Sequence, residues 1–159
     1  MGVKLIFPKT ELLPMLMEES LWLVMDPWRY QPHVDRTHGV NYLNAVYAEK
    51  INYYLQNVKF KSISLPKLFE PNPIFSNWIN LRKPRLLHEF MKDNNLSKIT
   101  YCGFHHGVCI LVRETGAIKM SEFYTCYLKH DLSCSMFSSD NHIEYEEYDN
   151  ESAKYMTFV

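Results

Sequence analysis

The stretch Ser20-Leu21-Trp22-Leu23-Val24-Met25, stopped by Asp26 and Pro27, constrains the fold more than any other. A strand with one wet face alternates apolar and polar residues. A short continuous apolar run instead reads as a strand buried on both faces, the kind found in a parallel sheet covered by helices. The following segments fit that reading. Leu43, Val46, Tyr47, Ile51, Tyr54 and Leu55 recur at helical spacing within 41–56. Phe60 to Leu65 is a second strand candidate, stopped by Pro66, and a weaker strand signal lies around Ile74 to Trp78. Pro84 suits the first turn of a helix whose apolar face is Leu86, Leu87, Phe90 and Met91, with Asn94 and Asn95 as terminators. Lys98 to Cys102 reads as a strand closed by Gly103, then a helix from near Val108 through Val112, then a strand over Glu122 to Leu128.

Strand and helix signals alternating in this way predict right-handed βαβ units. The expected fold is α/β, a three-layer α/β/α sandwich with a mostly parallel, doubly wound sheet. At 159 residues the chain is sized for a single domain, with 1–19 as an N-terminal extension and 137–159 as a tail. Within that tail, the acidic stretch Glu144 to Glu151 reads as solvated and Tyr155 to Val159 as a late strand.

Composition narrows the function classes. With 17 basic and 18 acidic residues the formal net charge is −1, so no global field draws the chain to nucleic acid or to an anionic membrane, and neither is expected as a partner. The apolar stretch Leu12 to Met17 is broken by Pro14 and flanked by acids, unlike a signal peptide. No run approaches the roughly 20 apolar residues of a membrane helix, and a cytoplasmic location is expected. Cys102, Cys109, Cys126 and Cys134 form no CxxC pair and no disulfide framework, so reduced thiols are expected. No metal and no cofactor is expected.

Ligands of doubly wound sheets sit beyond the carboxyl ends of the strands, where strand order reverses. Asp26 ends the first buried strand, and Gly103-Phe104-His105-His106-Gly107-Val108-Cys109 joins a later strand to a helix, with Cys109 in its first turn. If those strands are neighbours, Asp26 and Cys109 face one crevice. A thiol at a helix N-terminus has its thiolate stabilised by unpaired N–H groups and the helix dipole. The same N–H groups could hold an oxyanion. A nearby carboxylate can carry the thiol proton, although its charge raises the thiol pKa unless a cation balances it.

These residues resemble the isochorismatase-like cysteine hydrolases, which include the nicotinamidases. The resemblance rests on Leu21 to Asp26 with Gln31 further on, and on Gly103, five residues, Cys109, then Ile110 and Leu111. The run from Leu87 to Ile99 and the later Ala117 and Glu122 to Leu128 fall in the family's order, so the likeness spans roughly residues 20 to 135. It implies a hydrolase of a small amide or related small molecule, in which Cys109 attacks and Asp26 handles the proton. It further implies an oxyanion hole from the amides of His106 and Cys109, and a tendency to homo-oligomers. The family Lys would fall near Ser76 or Asn77, neither of which is a cation, and Lys67 and Lys83 are the nearest alternatives in sequence. The family's metal-binding His pair has no counterpart, since Pro66 to Trp78 contains no His. A cis peptide in the nucleophile turn would involve His105 or His106.

Blander readings stand beside these. Asp26 alone could cap a turn, and Cys109 alone could be a small packing residue. His105 and His106 read either as exposed loop residues or as a replacement for the missing cation. Trp28 and Tyr30 read as walls of a pocket or as core. Arg82, Lys83 and Arg85 read as a solvated helix start. The alternative to a hydrolase is a catalytically divergent member, a pseudoenzyme binding a small molecule or protein through the same crevice. An unrelated nucleotide binder is disfavoured, because only Pro27-Trp28-Arg29 follows Asp26 where a glycine-rich turn would be needed.

Overall fold

The computed structural model describes residues 2–6, 11–29, 40–104, 109–134 and 156–158. The strands are β1 (Val3–Ile6), β2 (Ser20–Met25), β3 (Phe60–Ser64), β4 (Lys98–Phe104), β5 (Thr125–Cys134) and β6 (Met156–Phe158). The helices are α1 (Leu13–Glu19), α2 (Val40–Tyr54), α3 (Pro84–Asp93), α4 (Cys109–Val112) and α5 (Ala117–Met120). The strands form one sheet in the order β3-β2-β4-β5-β1-β6, with every pairing parallel.

All six residues of β2 are buried. Successive side chains of a strand point to opposite faces, and β2 divides accordingly. Trp22 and Val24 join Leu16 of α1 and Tyr47, Ala48 and Ile51 of α2 in one apolar cluster. Leu21, Leu23 and Met25 join Leu87 and Met91 of α3 with Ile110, Leu111 and Ala117 in the other. Helices therefore cover both faces, giving the α/β/α sandwich. The buried hydroxyls at the start of β2 satisfy each other, with Ser20 Oγ and Thr100 Oγ1 2.8 Å apart.

From β2 the chain moves outward to β3, then crosses back over β2 to β4. Strand order thus reverses between β2 and β4, whose carboxyl ends lie side by side, with Met25 paired to Gly103.

Several elements differ from the sequence expectation. Within 1–19, expected as an extension, two described elements belong to the domain's packing. β1 lies between β5 and β6 in the sheet, and α1 is anchored where the Trp22 indole donates to the Leu16 carbonyl at 3.0 Å. Four residues of Val-Lys-Leu-Ile are too few to show a period, which hid the strand. The signal at Ile74 to Trp78 resolves into a 3₁₀ turn, Pro73–Phe75, capped by the Asn72 side chain accepting from the Ile74 N–H. Pairing along the outer edge of β3 comes slightly later. The Ile63 N–H donates to Ile79 and the Leu81 N–H donates back to Ile63, while the Asn80 amide exchanges two hydrogen bonds with Leu65. The strand expected over Glu122 to Leu128 begins at Thr125, because hydrogen bonds from Phe123 and Tyr124 back to Met120 prolong the turn after α5. Asn94 and Asn95 end α3 as expected, Asn95 with φ +55°. β6 falls inside the expected late strand, and the acidic stretch Glu144 to Glu151 lies outside the described residues.

Gly103 sets the distance between the two strands at the reversal. Its φ is +109°, and a Cβ there would stand 2.6 Å from the Met25 carbonyl oxygen and 2.7 Å from the Met25 nitrogen. Neither contact can relax without parting β2 from β4. Gly103→Ala is therefore expected to cost on the order of 3 kcal/mol in urea unfolding, from strain and backbone clash together. A loss within experimental error would mean that the strands are free to part there.

Candidate active site

Asp26 leaves β2 in the left-handed backbone region, φ +51°, a conformation Asp and Asn tolerate better than other non-glycine residues. Its N–H donates to the Ser64 carbonyl of β3 at 2.9 Å, and its own carbonyl accepts from the Trp28 N–H at 2.9 Å. This turn holds the carboxyl at the strand end with 1% of the residue exposed. Arg113 Nη2 donates to Oδ2 at 2.9 Å. The Cys109 thiol lies within hydrogen-bonding reach of the carboxylate, and Oδ1 is buried with no complete hydrogen bond among the described residues. Burial pushes the carboxyl pKa up, opposed by the charge of Arg113 and by hydrogen bonds from Cys109 and Arg113.

Cys109 begins α4, as expected, and is half-buried. Because β2 and β4 are neighbours, the thiol and Asp26 meet as the sequence suggested. Its chemistry differs from the stabilised thiolate expected at a helix N-terminus. Burial pushes the thiol up to about 11, with the Asp26 charge adding to the rise and Arg113 opposing it. α4 has only four residues, so few peptide dipoles align behind the sulfur. At neutral pH the group is a thiol.

Arg113 is the cation that the sequence reading did not locate. It lies four residues after Cys109, one helical turn further on the same face, which was the available signal. Its N–H bonds to the Cys109 carbonyl at 3.3 Å, and the Gly116 N–H bonds to the Arg113 carbonyl at 2.7 Å. A Cβ on Gly116 would come within 2.8 Å of the Arg113 and Leu111 carbonyl oxygens, so this turn closes only around glycine. Beyond it, Thr115 is pinned twice. Its Oγ1 stands 2.8 Å from Ser64 Oγ, and its carbonyl accepts from the Tyr101 hydroxyl at 2.7 Å. Ser64 Oγ also donates to the Leu81 carbonyl at 3.2 Å, tying the segment before Arg82 to the one after Arg113.

Between those two segments lies a cleft of about 350 Å³, lined by Met25, Asp26, Ser64, Pro66 and Thr115 together with the charged residues Lys67, Arg82, Lys83, Arg113 and Glu114. Cys109 touches Asp26 and Arg113 beside the cleft and is not one of the residues lining it. Lys83, expected as part of a solvated helix start, is exposed at the N-cap of α3, and it and Arg82, which is half-buried, also line the cleft. Arg85, in contrast, pairs with Glu89 on the exposed side of α3 at 3.0 Å. Lys67 and Lys83, distant in sequence, both line the cleft.

Trp28 does not line this cleft. It is half-buried, its ring centroid 6.2 Å from that of Phe104, and it packs against the α2-side core. Tyr30, His105 and His106, with the expected cis peptide and half of the expected oxyanion hole, lie outside the described residues. Among the described residues no group of three or more His, Cys, Asp or Glu is placed to hold a metal ion, and no helix is long and apolar enough to cross a membrane. Compared with known proteins, the chain matches no family model, no curated protein and no solved structure.

The burial of Asp26 has a stability consequence. A carboxyl whose folded pKa is raised favours folding while protonated, and that contribution is lost as pH rises through the folded pKa. Asp26→Asn keeps the left-handed turn and removes the buried charge, while Arg113, with 38% of its side chain exposed, is rehydrated. The variant is expected to gain on the order of 1 kcal/mol at pH 7, roughly 2–4 °C in thermal unfolding. The gain should vanish as pH falls and the wild-type carboxyl takes up its proton. A variant less stable than wild type at pH 7 would mean that the ion pair outweighs desolvation.

Proposed function

We propose that the chain is a divergent isochorismatase-like cysteine hydrolase acting on a small amide or a related small molecule. The observation that carries this reading is the contact of a buried carboxylate, a thiol and a guanidinium at the reversal point of a parallel sheet. Cys102, Cys109 and Cys126 form no disulfide among the described residues, in keeping with a cytoplasmic location.

With its pKa near 11, Cys109 acts as a thiol that loses its proton during attack rather than as a standing thiolate. Sγ bonds to the carbonyl carbon while its proton passes to Asp26. As the family resemblance implies, the tetrahedral oxyanion would be held by the amides of Cys109 and His106. The intermediate collapses as the C–N bond breaks and Asp26 returns the proton to the departing amine. Water, deprotonated by Asp26, then cleaves the thioester, and the sulfur recovers a proton. Arg113 is a positioning residue in this scheme. It holds Asp26 ionised against the penalty of burial, the part a balancing cation must play.

A second reading has specific support. Asp26 Oδ2 is already engaged by Arg113, the thiol is held protonated, and Cys109 is not one of the residues lining the cleft. Each of these favours a non-enzymatic member that binds a small molecule, or a protein partner, through the same crevice.

Ammonia release from a panel of small primary amides separates the two. The hydrolase reading expects turnover that Cys109→Ala lowers at least about 10³-fold, with kcat/KM rising as Asp26 ionises above the ordinary carboxylate range. Arg113→Gln should move that limb to higher pH, because its charge lowers the Asp26 pKa, and should reduce the rate by roughly 10²-fold. No release above background, or release indifferent to Cys109→Ala, would favour the binding reading.

A further inference from the structure

The cleft carries a charge imbalance that the hydrolase chemistry does not use. Of its charged lining, Asp26 and Arg113 neutralise each other at 2.9 Å. Lys67, Arg82 and Lys83 remain, opposed by Glu114 alone. Lys67, Lys83 and Glu114 are exposed, whereas Arg82 is half-buried, with Nε shielded from solvent and without a hydrogen-bond partner among the described residues. A buried donor left unmatched is a place where an acceptor is wanted. A concave wall bearing excess positive charge also concentrates anions against the general tendency of a chain whose net charge is −1.

The wall is built rather than incidental. The Ile79–Leu81 segment is fixed to β3 by backbone hydrogen bonds to Ile63 and by the Asn80 amide clamp on Leu65, so Arg82 and Lys83 leave a rigid edge. Lys67 follows Pro66 just past the end of β3, and Ser64 ties both sides together through Leu81 and Thr115. The volume of about 350 Å³ lies at the small end of ligand sites.

We propose that this cleft is an oxyanion-binding site that takes a small molecule bearing a carboxylate or phosphate group, with Arg82 supplying the fixed donor and Lys67 and Lys83 the surrounding charge. The site goes beyond the hydrolase reading and does not depend on it, since the anion is held by residues that take no part in proton transfer. In a substrate the anionic group would sit on this wall, with the reactive carbonyl directed to Asp26 and Cys109.

Binding of succinate, inorganic phosphate and uncharged succinamide to the full chain tests the site by calorimetry and thermal shift, with chloride at matched ionic strength as the control. Saturable stabilisation by succinate or phosphate, and not by succinamide or chloride, is expected. Whichever of the two anions binds more tightly identifies the preferred group. Arg82→Gln should weaken binding by about ten-fold, corresponding to about 1.4 kcal/mol. The double substitution Lys67→Gln with Lys83→Gln changes only exposed side chains, so it tests the charge without threatening the fold, and should weaken binding similarly. Cys109→Ala should leave binding unchanged. Equal effects of succinate and chloride, or binding indifferent to both sets of variants, would overturn the proposal. Binding without amide turnover supports the site while contradicting the hydrolase. Turnover of neutral amides with no anion binding does the reverse.

Discussion

β2 has no solvent face, and most of the architecture follows from that. A strand enclosed by helices on both sides offers polar chemistry only at its ends, where the backbone leaves the sheet. The amino-terminal end answers with a hydroxyl pair, Ser20 and Thr100, in which Ser20 also donates to the Leu21 carbonyl. The carboxyl-terminal end answers with Asp26, an ionisable group turned back by a left-handed residue into a space 1% open to solvent. Gly103 lets β4 approach Met25 closely enough to bring the segment that begins at Cys109 to the same place. The reversal of strand order brings these groups together at the β2–β4 junction, beside a cleft that Ser64, Pro66 and Lys67 at the end of β3 also line.

A buried carboxylate creates an electrostatic demand, and the surrounding groups are arranged around it. Desolvation drives the Asp26 pKa up, while Arg113 and the Cys109 thiol oppose the rise without cancelling it. The cost of the same carboxylate appears in Cys109, whose thiol is pushed to about 11. One arrangement thus weakens the thiolate and strengthens the base that could activate it. That balance suits a proton transfer coupled to attack, and it equally suits a site that holds a ligand without reacting. The three remaining cations of the cleft are indifferent to the distinction, which is why ligand binding and turnover are separable questions.

Much of the scaffold was legible in the sequence. The apolar run of β2, the Pro84 start of α3 and its Asn94 and Asn95 end all rest on local physics, namely burial on both faces, a fixed φ and tolerance of the left-handed region. Asp26 and Cys109 were legible because they stand at element boundaries, where chemistry in a parallel sheet must lie. What escaped was non-local. β1 carries four residues whose role depends on β5 and β6, far away in sequence. Ile79–Leu81 behaves as a strand edge only because β3 supplies Ile63 and Asn80 mimics the missing backbone. Arg113 could have been found by counting one helical turn from Cys109. Lys67 and Arg82 could not, because their segments reach one cleft through non-local hydrogen bonds, Asn80 with Leu65 and Ser64 with Leu81. Trp28 misled in the ordinary way, as an aromatic after a strand that packs on the core rather than lining a pocket.

The central claim is physical: Asp26 is a buried carboxylate whose ionisation is governed by desolvation and moderated by Arg113. Carboxyl-carbon NMR of the protein labelled at aspartate measures it directly, with Asp26→Asn assigning the resonance. Asp26 is expected to titrate above the ordinary aspartate value of about 3.9, and higher still in Arg113→Gln. A carboxyl titrating at or below that value, with no response to the loss of Arg113, would contradict the account.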